Sequence, residues 1–193
     1  MPFLMLKDLP RYECLLDVAK QFPDLDPWSC AVFLHLLRAG DEVFRVTERN
    51  LARRDVSPGR FGVLMLLWHG GRDHAATPAG NGGGLPGPRT PAELADAAGV
   101  TRATMTGLTD TLERDGLVNR VPDPADRRMM SVVLTAKATR FLRELLPGHF
   151  QLMAALTNTL TEPERQTLVR LLNKIIEQAA TIAAEPISTG AGR

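Results

Sequence analysis

Thr101, Arg102, Ala103 and Thr106 are the residues of this 193-residue chain whose types and spacing best suit a chemistry of recognition. Thr101 is a good N-cap type, and the spacing predicts a helix from there to about residue 115. On that helix Met105, Leu108 and Leu112 share a face that can pack inward, which leaves Arg102, Ala103, Thr106, Gly107 and Asp110 turned outward. Small outward side chains let a backbone approach a DNA major groove, while Arg and Thr reach base edges and phosphates. Taken alone, the pattern also fits a solvated helix that happens to carry small residues, so its neighbours decide. Upstream, Thr90, Pro91, Ala92 and Glu93 spell a capping box with Pro at the first helical position, and the helix they open over 91–98 is stopped by Gly99. Two helices joined by a tight glycine-containing turn have helix-turn-helix spacing.

The segment that follows adds a second reading element. Strand-like runs at 117–121 and 129–134 flank a turn over 123–128 and predict a two-stranded wing. Its tip holds Asp126, Arg127 and Arg128, so a carboxylate can hold one guanidinium while the other enters a narrow, electronegative minor groove. A charged hairpin tip is ordinarily just a solvated turn; directly after a helix-turn-helix it favours DNA.

Other chemistries find less support. The sequence has no Gly-x-Ser-x-Gly elbow and no His-Glu-x-x-His helix, and its four histidines are His35, His69, His74 and His149, so an enzyme is not expected. His69, Asp73 and His74 could approach a metal, but they sit in a glycine-rich stretch without a fourth ligand, and neither a metal nor any cofactor is expected. That stretch lacks the lysine and helix start of a phosphate-binding loop. Two cysteines, Cys14 and Cys30, are too few for a disulfide framework. Lys and Arg exceed Asp and Glu by 23 to 22, so DNA binding must rest on the placement of charge.

The elements that must position these residues are mostly helical. A first helix is expected over 9–22 with Asp8 as its cap, then a long amphipathic one over 28–53 whose apolar stripe is Trp28, Val32, Leu36, Ala39, Val43 and Val46. Ser57 and Pro58 start a third that stops near Gly70. Residues 69–89 carry seven of the 16 glycines and read as a long flexible insert. After the wing, Thr135 caps a helix to about residue 160 that Pro147 and Gly148 should interrupt, and Thr161 to Glu164 opens a last one with the stripe Leu168, Leu171, Leu172, Ile175 and Ile176. The fold class is therefore mostly α with a small β-hairpin wing, a winged helix-turn-helix core flanked by long dimerisation helices. The expected domains are 1–56, N-terminal helices contributing to dimerisation; 57–134, the DNA-binding domain including the insert; 135–185, C-terminal dimerisation helices; and 186–193, a disordered tail.

The stretch from Thr90 to Thr135, with TPAELADAAGVTRATMTGLTDTLERDGLV, the wing DPADRR and then VVLTAKA, resembles the MarR family of winged helix-turn-helix transcriptional regulators. The resemblance extends more loosely over the whole chain. It implies that Thr101, Arg102, Ala103 and Thr106 face the major groove, that Arg128 reaches the minor groove, and that Asp110 orients nearby arginines. The full expected DNA-binding set is Thr90, Thr101, Arg102, Ala103, Thr106, Arg127 and Arg128, with Asp110 and Asp126 in support. Two departures are visible: the 69–89 insert is long for such regulators, and residues 89–131 hold six arginines against seven acids.

The function so implied is a ligand-responsive repressor that binds a palindromic operator on double-stranded DNA as a homodimer, with recognition helices about 34–36 Å apart. Its effector would be a small aromatic or phenolic molecule, for which Trp28, His35, Arg38, Phe61, Met65 and Trp68 offer apolar walls and a few polar groups. Most of these six also suit a plain core. The alternative is a thiol-based redox sensor using Cys30 or Cys14, although Cys30 has no Lys, Arg or His before His35 to favour its thiolate. No apolar run is long enough to span a membrane and no secretory leader is recognisable, so a cytoplasmic location is expected.

Overall fold

The computed structural model describes residues 8–70, 89–122 and 128–184, with backbone alone at 69 and 70. The described elements are α1 (Tyr12–Gln21), α2 (Pro27–Ala52), α3 (Pro58–Gly70), α4 (Pro91–Ala98), α5 (Arg102–Arg114), β1 (Val118–Pro122), β2 (Met130–Leu134), α6 (Ala136–Thr157) and α7 (Glu162–Ala184). The chain is mostly helical with one antiparallel hairpin, as expected.

Local chemistry sets most helix starts. Asp26, which the sequence reading passed over, caps α2 by accepting from the Ser29 amide at 2.8 Å, so α2 begins at Pro27 in the N1 position. Hydrogen bonds from the Ser29 hydroxyl and amide hold the Asp26 carboxyl below its usual range. α1 begins at Tyr12 rather than residue 9, and its N-cap Arg11 makes no side-chain bond. Asp8 is not the cap, because Pro10 disfavours helical backbone at Leu9. Thr135 caps α6 by accepting from the Ala138 amide at 3.1 Å. α6 is not interrupted at Pro147 but runs through it. At the head of α7 the Thr161 amide donates to Glu164 at 2.7 Å.

The 69–89 insert is narrower than composition implied. α3 extends through Gly70, and at the other end Arg89 is a buried residue in an antiparallel bridge with Val132, whose amide donates to the Arg89 carbonyl at 2.7 Å. Backbone pairing to a sheet is blind to side-chain type, so composition could not reveal it. The remainder of the insert, with Asp73 and His74, and the tail over 186–193 lie outside the described residues.

Two compact units make up the chain, 1–149 and 150–193. In the first, Leu51 at the end of α2, Leu64 of α3, Leu94 of α4, Met105 and Leu112 of α5, Val118 and Val132 of the hairpin and Leu142 of α6 form one fully buried cluster. The core thus draws on residues either side of the 57–134 segment. In the second unit, α7 has no buried residue.

His149 lies edge-on to Phe61 with ring centroids 4.8 Å apart, and burial lowers the imidazole pKa from its ordinary 6.5. The folded state then binds fewer protons than the unfolded chain, so this contribution to stability is present above about pH 6.5 and is lost as pH falls toward the depressed value. Urea midpoints measured at pH 7.5 and 5.5 should fall further for wild type than for His149→Leu. An equal fall in both proteins would assign the acid sensitivity to other groups.

Candidate nucleic-acid interface

The helix-turn-helix is built from two caps and one left-handed glycine. Thr90 and Glu93 close a reciprocal capping box, with the Thr90 amide donating to Glu93 Oε2 at 2.7 Å and the Glu93 amide donating to Thr90 Oγ1 at 3.3 Å. Gly99 ends α4 at φ 63°, where a side chain would be strained, and Thr101 restarts the chain by accepting from the Thr104 amide at 3.1 Å. Met105 and Leu112 are fully buried and Leu108 packs against them at the edge, which rotates Thr101, Arg102, Ala103, Thr106, Gly107 and Asp110 into solvent. Thr106 donates to the Arg102 carbonyl at 2.9 Å, leaving its oxygen able to accept.

Thr90 departs from its expected role. It is buried and its hydroxyl is committed to Glu93, donating to Oε2 at 2.9 Å, so it starts α4 and does not present to a groove. In the wing, β1 and β2 pair in register from Val118 opposite Leu134 to Pro122 opposite Met130. Arg128 stands exposed just before β2, whereas Asp126 and Arg127 fall outside the described residues.

Arg120 on β1 is the residue that sequence reasoning missed. Its Nη1 donates to Glu113 Oε2 at 2.5 Å, its Nη2 donates to both Asp110 and Thr109 Oγ1, the latter at 3.2 Å, and its amide donates to Glu113 Oε1 at 3.3 Å. Asp110 therefore engages a nearby arginine, Arg120. The partners lie on different elements across a turn, α5 and β1, so no helical or strand period links them. The far end of α5 is tied as well. Arg60 of α3 pairs with Asp115 and donates to the Asp55 carbonyl at 3.2 Å, while Lys137 of α6 donates to the Asp115 carbonyl at 2.7 Å. A cation at a helix C-terminus also meets the negative end of its dipole.

The six residues suggested for an effector do not gather in one place. Trp28 is 64% exposed and stacks on Tyr12 at 4.4 Å, His35 bonds its own helix at the Ala31 carbonyl, and Arg38 pairs with Glu42 at 2.5 Å. Phe61 and Trp68 pack on the core, and Phe61 also meets His149. Met65 alone among the six borders an apolar cavity of about 390 Å³ lined also by Gly62, Ala98, Val100, Met105 and Leu108. Cys14 is exposed on α1 and Cys30 half-buried on α2, both as free thiols.

A helix pair with a polar, small-residue outer face, followed by a hairpin with an exposed arginine, defines a winged helix-turn-helix DNA-binding protein. The sequence profile of the MarR family matches residues 86–130. The chain is 34% identical over 173 residues to the HTH-type transcriptional repressor YetL of Bacillus subtilis, covering 90% of this chain and 95% of that protein. It is similar in structure to Sco3205, a MarR family transcriptional regulator from Streptomyces coelicolor in complex with DNA, with a TM-score of 0.66 and 23% identity over 87% of this chain and 95% of the other. BpsR of Bordetella bronchiseptica, whose DNA binding is regulated by 6-hydroxynicotinic acid, superposes with a TM-score of 0.57 at 26% identity, over 73% of this chain and 90% of its own. The chain belongs to the MarR family. It is a MarR-type DNA-binding transcriptional repressor, not an enzyme. None of its described helices is long and apolar enough to cross a membrane.

Proposed function

We propose that this repressor acts in the cytoplasm as a homodimer on a palindromic operator and that a small aromatic or phenolic effector lowers its affinity for DNA. The observation that carries the dimer is α7. Leu168, Val169, Leu171, Ile175, Ile176 and Ile182 are all exposed on a helix without a single buried residue, and such a stripe is costly to leave in water. A two-fold helical interface covers it and matches operator symmetry. The regulation of BpsR by 6-hydroxynicotinic acid supports an effector of that chemical class. On the DNA, Thr101, Arg102, Ala103 and Thr106 meet the major groove, and Arg128, with Arg127 and Asp126 beside it, meets the minor groove.

Sedimentation of the full chain with an inverted-repeat duplex, selected in vitro by the protein itself, should give two chains per duplex. One chain per duplex would overturn the dimer. On the same duplex Arg128→Ala should weaken binding and lower the slope of log affinity against log salt by about one. Arg102→Ala should relax discrimination between operator variants by about 1–3 kcal/mol. A uniform loss over all sequences would make Arg102 a phosphate contact. Titration with aromatic acids and phenols, beginning with 6-hydroxynicotinic acid, should release the duplex. If none of them shifts the affinity, the effector reading fails while the dimer stands.

A further inference from the structure

We propose that Arg120 is a positioning residue that locks the wing to the recognition helix, so that major-groove and minor-groove contacts are made in one fixed register. The inference rests on the DNA-facing surface of α5 and Arg128. β1 is only five residues long and pairs with β2; Val118 and Val132 anchor the inner end of the hairpin in the core, and Arg120 adds a polar contact to α5 further along β1. Strand alternation puts Arg120 on the same side as the fully buried Val118, which aims its side chain at α5. There the planar guanidinium bridges Asp110 and Glu113, one helical turn apart, and also reaches Thr109, while its amide donates to Glu113. A fork that fills three acceptors on one helix at once fixes orientation in a way that a single point charge cannot. Burial opposes the charge, yet the bond to Asp110 and the nearby Glu113 hold the Arg120 pKa above its ordinary value.

The pair also adjusts the charge of the helix. Asp110 and Glu113 carry side chains 49% and 37% exposed, and left alone they would set two negative charges beside a phosphate backbone. Arg120 offsets one of the two locally, which lessens the repulsion between α5 and a phosphate in a chain whose net charge is only +1.

The test uses full-length protein and two duplexes, one selected in vitro by the wild type and one of random sequence. Arg120→Lys keeps the charge and loses the fork. It should weaken binding to the selected duplex about tenfold, change binding to the random duplex by less than about threefold, and leave the thermal midpoint nearly unchanged. In that background the effect of Arg128→Ala should shrink to under about twofold, because the wing tip no longer sits in register. The acceptor-side variant D110N/E113Q keeps Arg120 itself and should show the same loss of coupling to Arg128. Additive effects of Arg120→Lys and Arg128→Ala, or full affinity in Arg120→Lys, would overturn the proposal and leave Arg120 an ordinary surface pair. An equal loss on both duplexes would make it a direct phosphate contact instead.

Discussion

Ending the chain after Leu160 should abolish dimerisation and lower affinity for a palindromic duplex by about a thousandfold or more, while leaving the winged domain folded. The two halves of this result have separate causes. The described core cluster runs from Leu51 to Leu146 and lies within residues 1–149, a compact unit by itself, so a chain ending at Leu160 keeps every residue of that core. Cooperative unfolding of the truncated chain should therefore persist. The loss on DNA follows from the removal of the apolar face over Leu168 to Ile182, because one half-site seldom supplies specific affinity and specific complexes are commonly about 10³ to 10⁷ tighter than non-specific ones. Sedimentation equilibrium and a binding titration check both halves. A truncated chain that stayed dimeric and bound the palindrome with wild-type affinity would move the interface elsewhere, with the exposed Val32, Phe33, Val43 and Phe44 of α2 the next candidates.

Leu112→Ala should cost about 2–5 kcal/mol of folding stability. Leu112 is fully buried on the inner face of α5, opposite the outward residues, and belongs to the cluster that holds α5 against α3, α4, the hairpin and α6. Typical domains have about 5–15 kcal/mol in total, so the loss would be a large part of the whole. A lowered urea midpoint with unchanged slope would report it. A change under about 1 kcal/mol would mean that neighbouring side chains collapse into the space, and that α5 is held less by its inner face than by Arg120, Arg60 and Lys137.

Much of the geometry of the candidate site was legible because its determinants are local. The capping box at Thr90, the N-cap at Thr101, the left-handed Gly99 and the three- and four-residue spacing of Met105, Leu108 and Leu112 each act within one or two helical turns. Such rules can be read from adjacent letters. The first helix starts three residues later than its sequence suggests for an equally local reason, since the restriction that Pro10 places on Leu9 outweighs Asp8 as a cap. Asp26 was passed over although Pro27 and Ser29 beside it form a regular helix start.

The sequence by itself determined the helical class, the helix-turn-helix and hairpin, the outward set on α5 and the apolar stripes that demand cover, because periodicity, caps and turns are properties of short stretches. Only the tertiary structure decided that Arg120 braces the wing on α5, that Arg89 joins the hairpin at Val132, that Thr90 is turned inward, and that Arg60 and Lys137 converge on Asp115. Thr90 aside, whose partner Glu93 is three residues on, these contacts join residues 7 to 55 positions apart. No repeat links such partners; they meet because burying one cluster of leucines, valines and Met105 fixes where each helix and strand must lie, and the polar groups at the rim then pair with whatever that packing brings within reach.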